Sequence, residues 1–180
     1  PGQVWAISPG DHEDHAGLFR IEVNVGPGSG VKILNKPVPA AFRESLSYAE
    51  QNLYARAAQL VGDRNPRDYE FTTQLRAFDA SKKGAKIGVA ALVALCTALL
   101  KKSVRGGMVI VGEVNLGGSI EPVHNAVTIA EIAVEKGATT LLMPVSSRRD
   151  LVDLSDDMAT KIDIQFYADV RDALLKALAD

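Results

Sequence analysis

Between Asp79 and Gly88 the chain places one serine, Ser81, among three lysines, Lys82, Lys83 and Lys86, with Gly84 between them. Serine and lysine suffice for nucleophilic catalysis under two conditions. The lysine must be desolvated enough to be neutral and take the hydroxyl proton, and backbone N–H groups at a helix start must hold the oxyanion. The apolar run that follows, to Leu100, reads as a helix able to supply such donors. Ser81, with Lys86, Lys82 or Lys83 as base, is therefore a candidate nucleophile. Its place in a turn counts against it, because catalysis needs fixed positions. The single Cys96 lies inside the apolar run, where a thiol stays protonated and inert. His12-Glu13-Asp14-His15 has metal-ligand types, but only one further histidine, His124, could complete a zinc set, so an exposed charged loop is the expectation. Gly26-Pro27-Gly28-Ser29-Gly30 lacks the lysine-serine or lysine-threonine ending of a phosphate-binding loop and reads as a turn.

The elements that must position these residues follow from periodicity. Gln3 to Ile7 alternates as a half-buried strand, and Leu18 to Val25 sets Leu18 and Arg20 against Phe19, Ile21, Val23 and Val25 on the other face. The glycine-rich turn predicts Val31 to Leu34 as a hairpin partner of that strand. Phe42, Leu46, Ala49, Leu53, Ala57 and Leu60 recur at helical spacing after Pro39, which predicts one long amphipathic helix ending near Gly62. Tyr69 to Ala77 reads as a strand, Ala85 to Leu100 as a helix buried all round, and Val109 to Val111 as a buried strand. Val123 to Lys136 is a helix stopped by Gly137, Thr139 to Pro144 and Lys161 to Phe166 are strands, and Ala168 to Ala179 closes the chain as a helix. The alternation predicts an α/β domain with mixed pairing, of the α+β type.

Composition fits that fold. The 180 residues are 47% hydrophobic and 23% charged with a net charge of −2, which describes one globular domain and does not by itself point to nucleic acid. One cysteine excludes a disulfide framework and predicts a reducing, cytoplasmic setting. The longest apolar run is shorter than the roughly 20 residues that span a bilayer, so no membrane partner is expected. Pro1 stands where a methionine would begin a complete polypeptide, which predicts a domain belonging to a longer protein.

The succession of Lys82 through Gly84, Gly88, Cys96-Thr97-Ala98-Leu99, Gly112-Glu113 and Pro122-Val123 resembles the core of the proteolytic domain of Lon proteases. The flanking elements extend the resemblance over essentially the whole chain. It implies the Lon proteolytic fold, similar to ribosomal protein S5 domain 2, over residues 1–180. It also implies a serine early in the first core helix and a lysine in the second. Gapless alignment puts Lys86 at the serine position and Val127 at the lysine position, so both halves of the family dyad are replaced. Thr128 with Lys86 as a role-swapped pair is set aside, since one residue along a helix turns a side chain by about 100°.

A Lon-like domain without its dyad is similar to the C-terminal part of the BrxL group, the Lon-like ATPases of BREX phage-defence systems. That resemblance implies a homo-oligomeric, hexameric ring in which this domain, itself without a cofactor, assembles the particle. A separate AAA+ domain would handle ATP, Mg and DNA. Two alternatives stay open: an active ATP-dependent Lon-type serine peptidase using Ser81, and a module of a RadA-like DNA-repair ATPase, whose Gly-Glu strand the stretch Gly112 to Val123 also matches. Lys82, Lys83 and Lys86 at one end of the core helix, and Lys101, Lys102 and Arg105 at the other, are candidate nucleic-acid contacts. Solvated helix ends are the favoured explanation for them, the second group because cations favour a helix C-terminus.

Overall fold

The computed structural model describes residues 1–9, 16–35, 37–78 and 86–179. Among these residues, seven strands form one mixed sheet: β1 Gln3–Ser8, β2 Gly17–Pro27, β3 Gly30–Ile33, β4 Tyr69–Ala77, β5 Met108–Ile110, β6 Thr140–Pro144 and β7 Asp163–Tyr167. Their order across the sheet is β3-β4-β2-β1-β5-β6-β7. β2 runs antiparallel to both β1 and β4. From β1 outward through β5, β6 and β7 every pairing is parallel, reached by helical crossovers. The α/β architecture expected from the sequence is the one observed.

Six α-helices among the described residues flank the sheet: α1 Ala40–Ala55, α2 Ala57–Val61, α3 Gly88–Leu100, α4 Ala126–Glu135, α5 Asp156–Ala159 and α6 Val170–Ala177. Strand alternation divides the core. Val4, Ala6, Phe19, Ile21 and Val23 point to α3, with α1 and α6 packed outside it. Ile7, Leu18, Val109 and Leu141 point to the other face and meet α4. Every residue of α3 from Gly88 to Leu99 is buried, as its unbroken apolar sequence requires.

Four expectations are corrected. β3 does not form a hairpin with β2 but pairs in parallel with β4. Both edges of β2 are already taken by β1 and β4, so β3 takes the outer side of β4, at the edge of the sheet. Asn35 locks it there, exchanging two hydrogen bonds with the Leu75 backbone (2.7 and 3.1 Å). The long first helix breaks at Arg56, because Asn52 and Arg56 turn their side chains to the 115–118 corner. The core helix begins at Gly88, so Lys86 stands two residues before it rather than within its first turn. The fourth concerns residues 145–159, for which periodicity gave no element. Val145–Asp153 is a 3₁₀ segment and α5 follows, started by the Ser155 hydroxyl accepting from the Met158 N–H at 3.2 Å.

Candidate functional site

The start of α3 is built by four pieces of chain that meet beside the C-terminal ends of β1 and β5. Lys86 is exposed, and its N–H donates to the Ser8 hydroxyl at the end of β1 (3.1 Å). The Gly88 N–H donates to the Glu113 carboxylate, and the Val89 N–H donates to the Gly112 carbonyl at 3.3 Å. Three of the four backbone donors from Lys86 to Val89 are thus taken by Ser8 and the Gly112-Glu113 corner. An added Cβ on Gly88 would lie 1.9 Å from Glu113 Oε1, so only glycine admits the carboxylate so close to the helix.

Glu113 is buried yet well provided with donors. The Ser45 hydroxyl of α1 donates to Oε2 (2.5 Å), and the Val114 N–H to Oε1 (3.1 Å). Burial pushes its carboxyl above the ordinary glutamate value and the nearby Glu121 adds to the shift; the bonds from Ser45, Val114 and Gly88 oppose it. The corner is fixed from the far side as well. Gly112 has φ +145°, and Tyr167 presses against it while donating its hydroxyl to the Val111 carbonyl at 2.6 Å. The turn beyond, closed by a Val114–Ile120 bridge, is held by the end of α1 and its C-cap: Arg56 reaches the Gly117 carbonyl (2.6 Å) and Asn52 the Asn115 carbonyl (2.9 Å).

Val127 is the second residue of α4 and half-buried. It lines an open cleft of ≈ 470 Å³ together with His124, Asn125, Thr128, Arg149 and Asp153; Lys86 is not among the residues lining it. Lys101, Lys102 and Arg105 are all exposed, beyond the C-terminus of α3. Lys101 adopts the left-handed conformation that ends the helix (φ 57°), and Arg105 spends its Nε on the Leu178 carbonyl (3.1 Å). Ser81, Lys82 and Lys83, like His12 and His15, lie outside the described residues. Among the described residues no group of histidine, cysteine and acidic side chains could hold a metal, and no helix is long and apolar enough to cross a membrane.

The Lon protease (S16) C-terminal proteolytic domain profile matches residues 13–180. The chain belongs to this Lon proteolytic-domain family. Among curated relatives, the Lon-like protease BrxL of Escherichia coli O9:H4 (strain HS) is 30% identical over 183 residues, covering 99% of this chain and 26% of the relative. The BrxL of Bacillus cereus (strain H3081.97) is 25% identical over 181 residues, with 99% and 26% covered. The Lon protease of Methylocella silvestris is 29% identical over 179 residues, with 98% and 21% covered. The chain therefore spans about a quarter of the length of these relatives.

Sequence reasoning missed two polar residues of this Lon-family site. Ser45 stands on the buried side of α1 beside Phe42 and Leu46, and a hydroxyl at a core-facing position needs a buried acceptor. Ser8 ends an otherwise apolar strand face and is 1% exposed.

Proposed function

We propose that this Lon-family domain is proteolytically silent and serves assembly of a ring-forming AAA+ protein of the BrxL type. The observation that carries the proposal is the start of α3, where the chain offers an exposed lysine and spends its donors internally. An acyl transfer needs a hydroxyl, a neutral base and free N–H groups aimed at the oxyanion. Lys86 supplies no hydroxyl, Val127 cannot accept a proton, and the N–H groups of Lys86, Gly88 and Val89 already have acceptors. In this reading ATP and Mg belong to a separate ATPase domain, DNA is met by the full-length protein, and the active form is a homo-oligomer, expected to be a hexamer. Ring contacts need no catalytic residue.

The test is hydrolysis of a labelled, unfolded protein, run beside Ser81→Ala and the double substitution Lys86→Ser, Val127→Lys. No cleavage by the natural sequence is expected. Cleavage that disappears in Ser81→Ala would replace this proposal with an active peptidase.

A further inference from the structure

Among the described residues, the face of the sheet that meets α4 is covered over only part of its width. Beyond α4, the β2 and β4 residues on that face, Arg20, Glu22, Gln74 and Arg76, stay half-buried or exposed. At the margin, where α4 ends, lies a cleft of ≈ 420 Å³. Its lining combines apolar Leu18, Met108 and Val109 with the rings of Trp5 and Phe78 and the side chain of Lys136. The two rings pack 4.8 Å apart at 46°, and the Arg20 guanidinium lies 5.2 and 5.4 Å from their centroids.

Charge around this cleft is out of balance. Arg20 pairs with Glu22 at 2.8 Å, but its Nε is buried without a hydrogen-bond partner among the described residues. Arg76 stands directly opposite Arg20 in the antiparallel register, a like-charge pairing that costs stability. Neither Arg76 nor Lys136 has an ion-pair partner among the described residues. Among the described residues, three cations, Arg20, Arg76 and Lys136, therefore stand with one carboxylate, Glu22, beside an aromatic, apolar slot.

A ligand that suits such a site is flat and apolar at one point and repeatedly anionic beside it. We propose that this face binds single-stranded nucleic acid, with one base stacked in the Trp5–Phe78 cleft and backbone phosphates against Arg20, Arg76 and Lys136. Among the described residues the polar row Arg20, Glu22, Gln74 and Arg76 continues the site past the cleft, which an isolated nucleotide would not need. An apolar peptide could use the same rings but would leave the cations without counter-charge. The site is distinct from the start of α3 and from Lys101, Lys102 and Arg105, and it does not depend on the proposed silence of the protease.

Trp5 is the only tryptophan, so intrinsic fluorescence reads this cleft directly. Titration with a short oligothymidylate is expected to quench it saturably, with log affinity falling against log salt at a slope of roughly −2 for three phosphates. With a labelled strand followed by anisotropy, Phe78→Leu weakens binding roughly 5- to 150-fold. Arg76→Gln, at an exposed position where substitutions usually change stability little, lowers the salt slope by about 0.7. Lys101→Gln with Lys102→Gln leaves both readings unchanged. The proposal is overturned if the strand does not quench, if thymidine monophosphate or a peptide quenches and the strand does not, or if the Lys101 and Lys102 changes abolish binding while Phe78→Leu and Arg76→Gln do not.

Discussion

Gly88→Ala tests the architecture of the α3 start most directly. The new Cβ would sit 1.9 Å from Glu113 Oε1 and 3.1 Å from its Cδ, where real contacts stay beyond 3.0 Å, so the carboxylate must retreat by more than about 1 Å. It cannot do so freely, because Ser45 holds the other oxygen at 2.5 Å and the Val114 N–H holds Oε1 at 3.1 Å. Hydrogen bonds to a carboxyl group in such a place are worth about 1.5–3 kcal/mol, and forced overpacking costs about 1–3 kcal/mol. The gain from replacing glycine by alanine in a helix returns at most about 1 kcal/mol. A net loss of about 3 kcal/mol is expected, a fall in Tm of roughly 6–12 °C for a chain of this size. Denaturant titration beside Gly106→Ala, where an added Cβ meets open space, isolates the local effect. In a Glu113→Ala background the same Gly88→Ala change is expected to cost less than about 1 kcal/mol, because the obstructing group is gone. An equal cost in both backgrounds would refute the reasoning.

Glu113→Gln changes the pH dependence of stability. The folded carboxyl titrates above its unfolded value, so its contribution is fully present below the unfolded pKa and is lost as pH rises through the folded pKa. Chemical denaturation across that window is therefore expected to show the glutamine variant gaining on the wild type as pH rises; a constant difference would contradict the assignment. Arg56→Ala, which removes the bonds to the Gly117 carbonyl and Asn52, is expected to lose about 1.5–3 kcal/mol by the same titration, and a loss below about 0.5 kcal/mol would mean the turn holds itself. Cys96 is fully buried and burial pushes its thiol up to about 12, so a thiol reagent near neutral pH should label it only as fast as the domain unfolds. Fast labelling of the native protein would show that α3 opens locally.

Where the sequence was legible, one face or one period dominated. The strand Tyr69 to Ala77 and the core helix, read from Ala85 and found to start at Gly88, announced themselves, the helix by an unbroken apolar run, and the family resemblance joined them. Local pattern failed where a partner distant in sequence decided the outcome. The parallel seat of β3 depends on β2 having no free edge, which no property of residues 30–33 reveals. The break at Arg56 follows from a turn about sixty residues later, although Asn52 at a core-facing helical position was a usable sign. Gly112-Glu113 was visible as a motif, but its role was not, because the donors come from Ser45, Gly88 and Val114 on three segments.

The position of β1 has a kinetic consequence. It joins the antiparallel part of the sheet to the parallel part, pairing Trp5 with Val109 and Ala6 with Ile110 across more than one hundred residues. A chain emerging from the ribosome can zip β1 to β2 early, but the other edge of β1 stays open until β5 has been made and α3 has been laid down between them. Until then the nascent protein carries an exposed, apolar strand edge, the condition in which chains pair wrongly. Refolding is accordingly expected to be limited by docking of the β5–β7 half onto a preformed β1-β2-β4 half, and to be the step at which crowding or a chaperone alters yield.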